Sequence, residues 1–156
     1  VDCDPNYVQT GGFSVGDLYK ELNAINAEHT TVVLDACFSG ASGDSNDMLI
    51  RDASPLSIEV NNEELNTDNF TIFTSSSGQQ LSSWLRDKKH SLFSYYFMKA
   101  LQGDADLNKD EEISVSEIEI YLKKNVFEKA MLEFNREQTP QVISSGDSRK
   151  RPVVEF

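Results

Sequence analysis

Cysteine is scarce in this chain, with Cys3 and Cys37 alone among 156 residues. Two cysteines cannot build the disulfide framework of a small secreted domain, so a reducing, cytoplasmic setting is the expectation. Histidine is as scarce, with only His29 and His90, and there is a single tryptophan, Trp84. No run of about 18 apolar residues occurs, which excludes a helical membrane span. Positive charge is in short supply: 14 Lys and Arg stand against 26 Asp and Glu, for a net charge of −12. A surface so negative repels phosphate backbones, so a nucleic-acid partner is not expected. The one dense basic cluster, Arg149-Lys150-Arg151, reads as a solvated tail. The acidic balance fits basic substrates or divalent cations instead. The opening Val-Asp-Cys-Asp-Pro has no basic start and no apolar stretch, so it is not a signal peptide. It also lacks an initiator Met, from which a processed subunit or a trimmed form is expected.

What is present is core material for one domain, 38% of residues being apolar. Ser14 and Asp17 open a helix over about residues 15–27, with Val15, Leu18, Leu22 and Ile25 on one face. Residues 30–36 form a β-branched run that is apolar on both faces at Val32, Val33 and Leu34, as a central parallel strand requires. Residues 41–69 are acidic and aperiodic, a long loop with a short strand around 56–60. A second buried strand follows over 70–74, then a helix over 92–101, an acidic loop over 104–117 and a helix from 118 to about 134. This order predicts an α/β domain with a mostly parallel sheet and no internal repeat.

In such sheets active groups gather at the carboxyl ends of strands. Cys37 ends the first strand in Leu34-Asp35-Ala36-Cys37-Phe38-Ser39-Gly40, and Gly40 and Gly43 let a ligand approach the backbone. Asp35 shares a face with Cys37, two residues on. A carboxylate beside a thiol raises its pKa, so Asp35 suits substrate binding better than activation of a nucleophile. Two readings of the residues stand side by side: a nucleophile with its binding carboxylate, or a small buried thiol with a capping Asp.

The segment Val32-Val33-Leu34-Asp35-Ala36-Cys37-Phe38-Ser39-Gly40 resembles the nucleophile strand of caspase-like cysteine peptidases, the metacaspase and bacterial caspase-homologue branch in particular. The resemblance continues through Phe73-Thr74-Ser75-Ser76-Ser77-Gly78, His90 to Phe97, Gly103 to Asn108 and Gln138-Thr139-Pro140-Gln141, over roughly residues 1–145. It implies a three-layer sandwich, a mostly parallel sheet with helices on both faces, lacking here the N-terminal strands and the His. It implies one catalytic-domain fragment over 1–156. Residues 1–50 end the large-subunit-like part, 41–69 form a processing-type loop, and 70–156 are small-subunit-like. Cys37 takes the place of the nucleophile, and Asp35 lines the pocket for the residue before the scissile bond. That acidic pocket implies peptide or protein substrates cleaved after Arg or Lys. Ser75, Ser76 and Trp84 would form a further wall of it. Within the loop, Arg51 is the only basic residue between Lys20 and Arg86, so Arg51-Asp52 is either a self-cleavage point or an incidental Arg in a solvated loop.

A thiol needs an imidazole nearby to supply thiolate and to protonate the leaving amine. His29 precedes the strand, and seven or so residues at ~3.3 Å each place it over about 20 Å from Cys37. His90, in a Lys88-Lys89-His90 loop, is a poor candidate. In caspases the His lies ~50 residues before the Cys, which falls ~13 residues ahead of Val1. The expectation is that an upstream large-subunit-like segment or another chain supplies it. The alternatives are a catalytically inactive relative that serves as a Ca²⁺-binding or scaffold module, and an acyl-transferring relative.

The acidic stretch from Asp106 to Glu117 has EF-hand spacing. Asp106, Asn108, Asp110 and Glu117 would surround Ca²⁺, with the Glu112 carbonyl completing the set. Position six of the loop, where glycine makes the sharp turn, is Glu111; a left-handed residue there costs ~1 kcal/mol. Ser114 and Glu117 also read as a capping box, compatible with ion binding. No cofactor is required for the peptidase chemistry, and Ca²⁺ is the one ion expected.

Overall fold

The computed structural model describes residues 15–35, 69–77 and 80–156. Cys3, Cys37, Arg51 and the processing-type loop lie outside the described residues.

Helix α1 (Val15–Ala24) precedes strand β1 (Thr30–Leu34), and strand β2 (Phe70–Thr74) lies parallel beside it, with Val32 opposite Ile72. A short ribbon of β3 (Trp84–Leu85) and β4 (His90–Ser91) leads into α2 (Leu92–Lys99), which ends in a wider turn over Ala100–Asp104. Gly103 sits there at φ 114°, a conformation closed to other residues at low cost. Strand β5 (Glu112–Ser114) feeds α3 (Val115–Phe134), and β6 (Gln141–Ser144) returns antiparallel onto β2. The chain finishes with β7 (Pro152–Glu155) paired to β5.

The side-chain period of two along β2 explains the layering. Phe70 and Ile72, with Val32 of β1 and the half-buried Ile143 of β6, pack against Tyr19, Val15 and Leu22 of α1. Phe73, with Val142 of β6, points the other way into a larger core built on Leu92 and Phe93 of α2 and Ile118, Leu122 and Val126 of α3. Helices therefore cover both faces of the sheet, giving the expected three-layer α/β sandwich. Each large side chain buried there stabilises the fold by roughly 2–3 kcal/mol against leaving it in water.

The described strands form a mixed sheet, β1 and β2 parallel and β6 antiparallel where α3 returns the chain. Other expectations need correction. Burial on both faces belongs to β2, all five residues of which are buried; in β1 only Val32 is, and Val33 is 42% exposed. Among the described residues β1 has β2 as its one strand partner, which leaves its outer edge uncovered. The last helix begins at Val115 rather than Ile118, because Ser114 caps it. Arg149-Lys150-Arg151 is not a loose tail: the Arg149 guanidinium pairs with the buried Glu119 at 2.6 Å, and Arg151 lies 3.6 Å from Glu28. No described helix is long and apolar enough to cross a membrane.

Candidate active site

Parallel pairing of β1 and β2 brings their carboxyl ends to one edge. The Ser75 N–H donates to the Leu34 carbonyl at 3.0 Å, extending the ladder by one residue and setting Asp35 beside Ser75. Asp35 is exposed at that edge. Its Oδ2 accepts hydrogen bonds from the hydroxyls of Ser91 and Ser94, both at the start of α2. Ser91 is the N-cap of that helix, its hydroxyl accepting the Ser94 N–H at 3.0 Å.

The surrounding wall is hydroxyl-rich and buried. Ser75 Oγ and Ser82 Oγ share a hydrogen bond of 2.8 Å, and Ser76 Oγ donates to the Gln80 carbonyl at 3.1 Å. Ser75 is fully buried and Ser76 nearly so, so both stand behind the exposed Asp35 rather than level with it. The Ser83 hydroxyl is buried and has no partner among the described residues. Trp84 is 42% exposed and pairs in the ribbon with Ser91, the residue that holds Asp35. Sequence reasoning left open whether Trp84 belongs to the core or to a pocket edge; its exposure takes it out of the buried core.

Two glutamines bind this wall together. Gln138, fully buried, accepts the Ser83 N–H at 2.8 Å and donates to the Ser75 carbonyl at 3.0 Å. The Gln80 side chain accepts the Thr139 N–H at 2.7 Å. Sequence reasoning gave no role to Gln138, Gln80, Ser91 or Ser94. The Ser91 cap was readable, a serine before an apolar helical run. The Gln138 contacts span 55 and 63 residues and leave no local trace.

Neither histidine meets Asp35 among the described contacts. His90 is exposed on β4. His29 lies at the opposite end of β1 from Asp35, its Nε2 3.1 Å from Thr71 Oγ1. Burial and the Arg151 charge push its pKa below the usual histidine value.

None of the described hydrogen bonds joins the acidic loop to Asp35. Asp106 caps the N–H groups of Lys109 at 2.7 Å and Glu111 at 3.2 Å, and Asp110 caps that of Glu112 at 3.0 Å. Glu117 accepts from the N–H groups of Leu107 at 3.1 Å and Ser114 at 2.9 Å. Burial pushes the Glu117 carboxyl up, but these bonds outweigh it and hold the group below the usual carboxylate range. Lys109 and Glu111 both adopt positive φ, 62° and 68°, so the sharp turn that glycine makes in such loops is made here by Glu111. An open cavity of about 430 Å³ beside the loop is lined by Asn108, Asp110, Glu112, Glu117 and Lys150. Among the described residues no three His, Cys, Asp or Glu side chains converge to hold a metal ion. In this arrangement the carboxylates are turned onto the loop's own backbone.

Set against families of known proteins, residues 1–150 match the caspase domain. No curated protein matches the chain.

Proposed function

The chain belongs to the caspase-domain family of cysteine peptidases, and from that premise we propose that it is the nucleophile-bearing part of an endopeptidase cleaving after Arg or Lys. The Cys37 thiolate attacks the carbonyl carbon and forms a tetrahedral oxyanion, which collapses to a thioester as the amine leaves. A His from outside this chain takes the thiol proton and returns it to the leaving amine, and water then hydrolyses the thioester. Backbone N–H groups near Cys37 stabilise the oxyanion. Asp35 holds the substrate's basic side chain, with Trp84 at the rim of the pocket and the buried Ser75 and Ser76 backing its wall. One observation carries this reading: an exposed carboxylate, two residues before the cysteine, fixed at the carboxyl edge of the sheet by two serine hydroxyls.

The test is mass spectrometry of the full-length protein after an Arg-directed chloromethyl ketone. An adduct on Cys37, absent from Cys37→Ala, is expected; no adduct overturns the proposal. Asp35→Asn should raise KM for Arg and Lys peptides by roughly 10–100-fold, the size of a lost charged hydrogen bond. Arg51, outside the described residues, is the self-cleavage point in this reading, and Arg51→Gln would leave the full-length protein as a single chain on gels.

The same proposal gives the Asp106–Glu117 loop weak Ca²⁺ binding. The spacing of its oxygens and the tight turn at Glu111 support it. Binding requires Asp106, Asp110 and Glu117 to turn from backbone N–H groups toward the ion, which weakens affinity, toward the ~10⁻⁴–10⁻³ M range. Calorimetry should show Ca²⁺ heat in the wild-type protein and none in Asp106→Ala; equal heats in both remove the site.

A further inference from the structure

The Asp35 carboxylate is held unevenly. Both serine hydroxyls donate to Oδ2, and among the described residues no donor reaches Oδ1. The Ser91 hydroxyl is not free to turn away. Ser91 Oγ accepts the Ser94 N–H at 3.0 Å, so its own hydrogen must point elsewhere, and it points to Asp35. The turn that carries both serines is fixed by the pairing of Trp84 with Ser91 and by the Leu92 N–H, which donates to the Ser83 carbonyl at 2.8 Å. An oxygen with two donors has both its lone pairs occupied. The exposed carboxylate therefore presents a ligand with a single oxygen.

Arg and Lys differ in what they need from a carboxylate. A guanidinium binds best fork to fork, with two parallel N–H bonds to the two oxygens. An ammonium is a compact point charge that one oxygen satisfies. We infer that Ser91 and Ser94 are positioning residues that make Asp35 a one-oxygen acceptor and so favour Lys over Arg before the cleaved bond. The inference rests on the reading that Asp35 receives the substrate's basic side chain. It goes further in ranking the two basic residues and in naming the hydroxyls that set the rank.

The experiment is steady-state cleavage by the full-length protein of three matched peptides with Lys, Arg or Gln before the scissile bond. The wild type should prefer Lys to Arg in kcat/KM, with Gln far behind. Ser94→Ala frees one lone pair of Oδ2, opens the carboxylate to the guanidinium fork, and should raise the Arg-to-Lys ratio about threefold to tenfold. The change should fall in KM, with kcat held within about twofold, as for a contact made equally in ground and transition states. Ser94→Thr keeps the hydroxyl and should restore the wild-type ratio. Should Ser94→Ala fail to fold, the isosteric pair Ser94→Thr and Ser94→Val carries the same comparison. An unchanged ratio in Ser94→Ala and in the Ser91→Ala, Ser94→Ala double variant, with Asp35→Asn still abolishing discrimination against Gln, overturns the inference and leaves the acidic pocket standing. No effect of Asp35→Asn, or no cleavage of any peptide, overturns the pocket and the inference together.

Discussion

A single amide, that of Gln138, joins the end of β2 to the start of β3. Its Oε1 accepts the Ser83 N–H and its Nε2 donates to the Ser75 carbonyl, in a position with no exposure to water. Gln138→Ala strands a buried donor and a buried acceptor, each costing about 1–3 kcal/mol. The variant should lose roughly 2–4 kcal/mol in denaturant unfolding, and a loss below about 1 kcal/mol would mean the wall relaxes around the gap. Glu111 is the opposite case, a residue whose replacement should help. Its φ of 68° is costly for any residue with a Cβ. Glu111→Gly should stabilise the protein by about 0.5–1 kcal/mol, read as a rise in Tm. The strain at Glu111 was legible, since the EF-hand spacing placed a non-glycine where the turn is sharpest. The role of Gln138 was not. A buried glutamine reads in sequence as one more polar turn residue, and only the fold shows which backbone groups it completes.

Helix α3 is set by its first turn. Ser114 accepts the Glu117 N–H, and the Glu117 carboxylate returns to the Ser114 N–H and hydroxyl, closing a reciprocal cap. Ser114→Ala should cost about 1 kcal/mol. The folded-state pKa of Glu117 lies below its ordinary value, so its stabilising share is complete above the unfolded value of about 4.3. It is lost as pH falls through the depressed folded value. Tm followed downward from pH 5 should therefore fall less steeply in Glu117→Gln than in the wild type; parallel curves would show that the cap carries no charge dependence. This element was legible because its cap and its apolar positions, Ile118, Leu122, Val126 and Ala130, obey a helical period. The strands β3 to β7 were not. They are two to four residues long, too short for a period to register, and they exist through partners far along the chain, as when Ile113 meets Val154.

At the scale of the whole molecule, the sheet is a divider between two cores, and the burial of its central strand was legible in the run Phe70 to Thr74. The opposed direction of β6 was not visible, because direction depends on where α3 delivers the chain. One charge-sensitive point ties the layers together. His29 enters β1 with Nε2 3.1 Å from Thr71 Oγ1, which is 3.1 Å from Ser144 Oγ, so one chain of contacts crosses all three strands. Among the described residues its buried Nδ1 has no partner, and Arg151, paired to Glu28, adds positive charge nearby. Burial first and Arg151 second both disfavour the imidazolium, so the folded pKa is depressed. A depressed folded pKa makes stability complete above the unfolded value of about 6.5 and erodes it as pH falls through the folded value. Acidification also discharges carboxylates and relieves the repulsion of a chain of net charge −12. That background acts alike on any variant, so the histidine is isolated by difference. His29→Gln stays neutral and keeps an amide within reach of Thr71. Between pH 7.5 and 5 the wild type should lose more of its Tm than His29→Gln does, and the two curves should run parallel above pH 7. Parallel curves over the whole range would show that the imidazole takes up its proton without strain, and that this end of the sheet is more open to water than its burial implies.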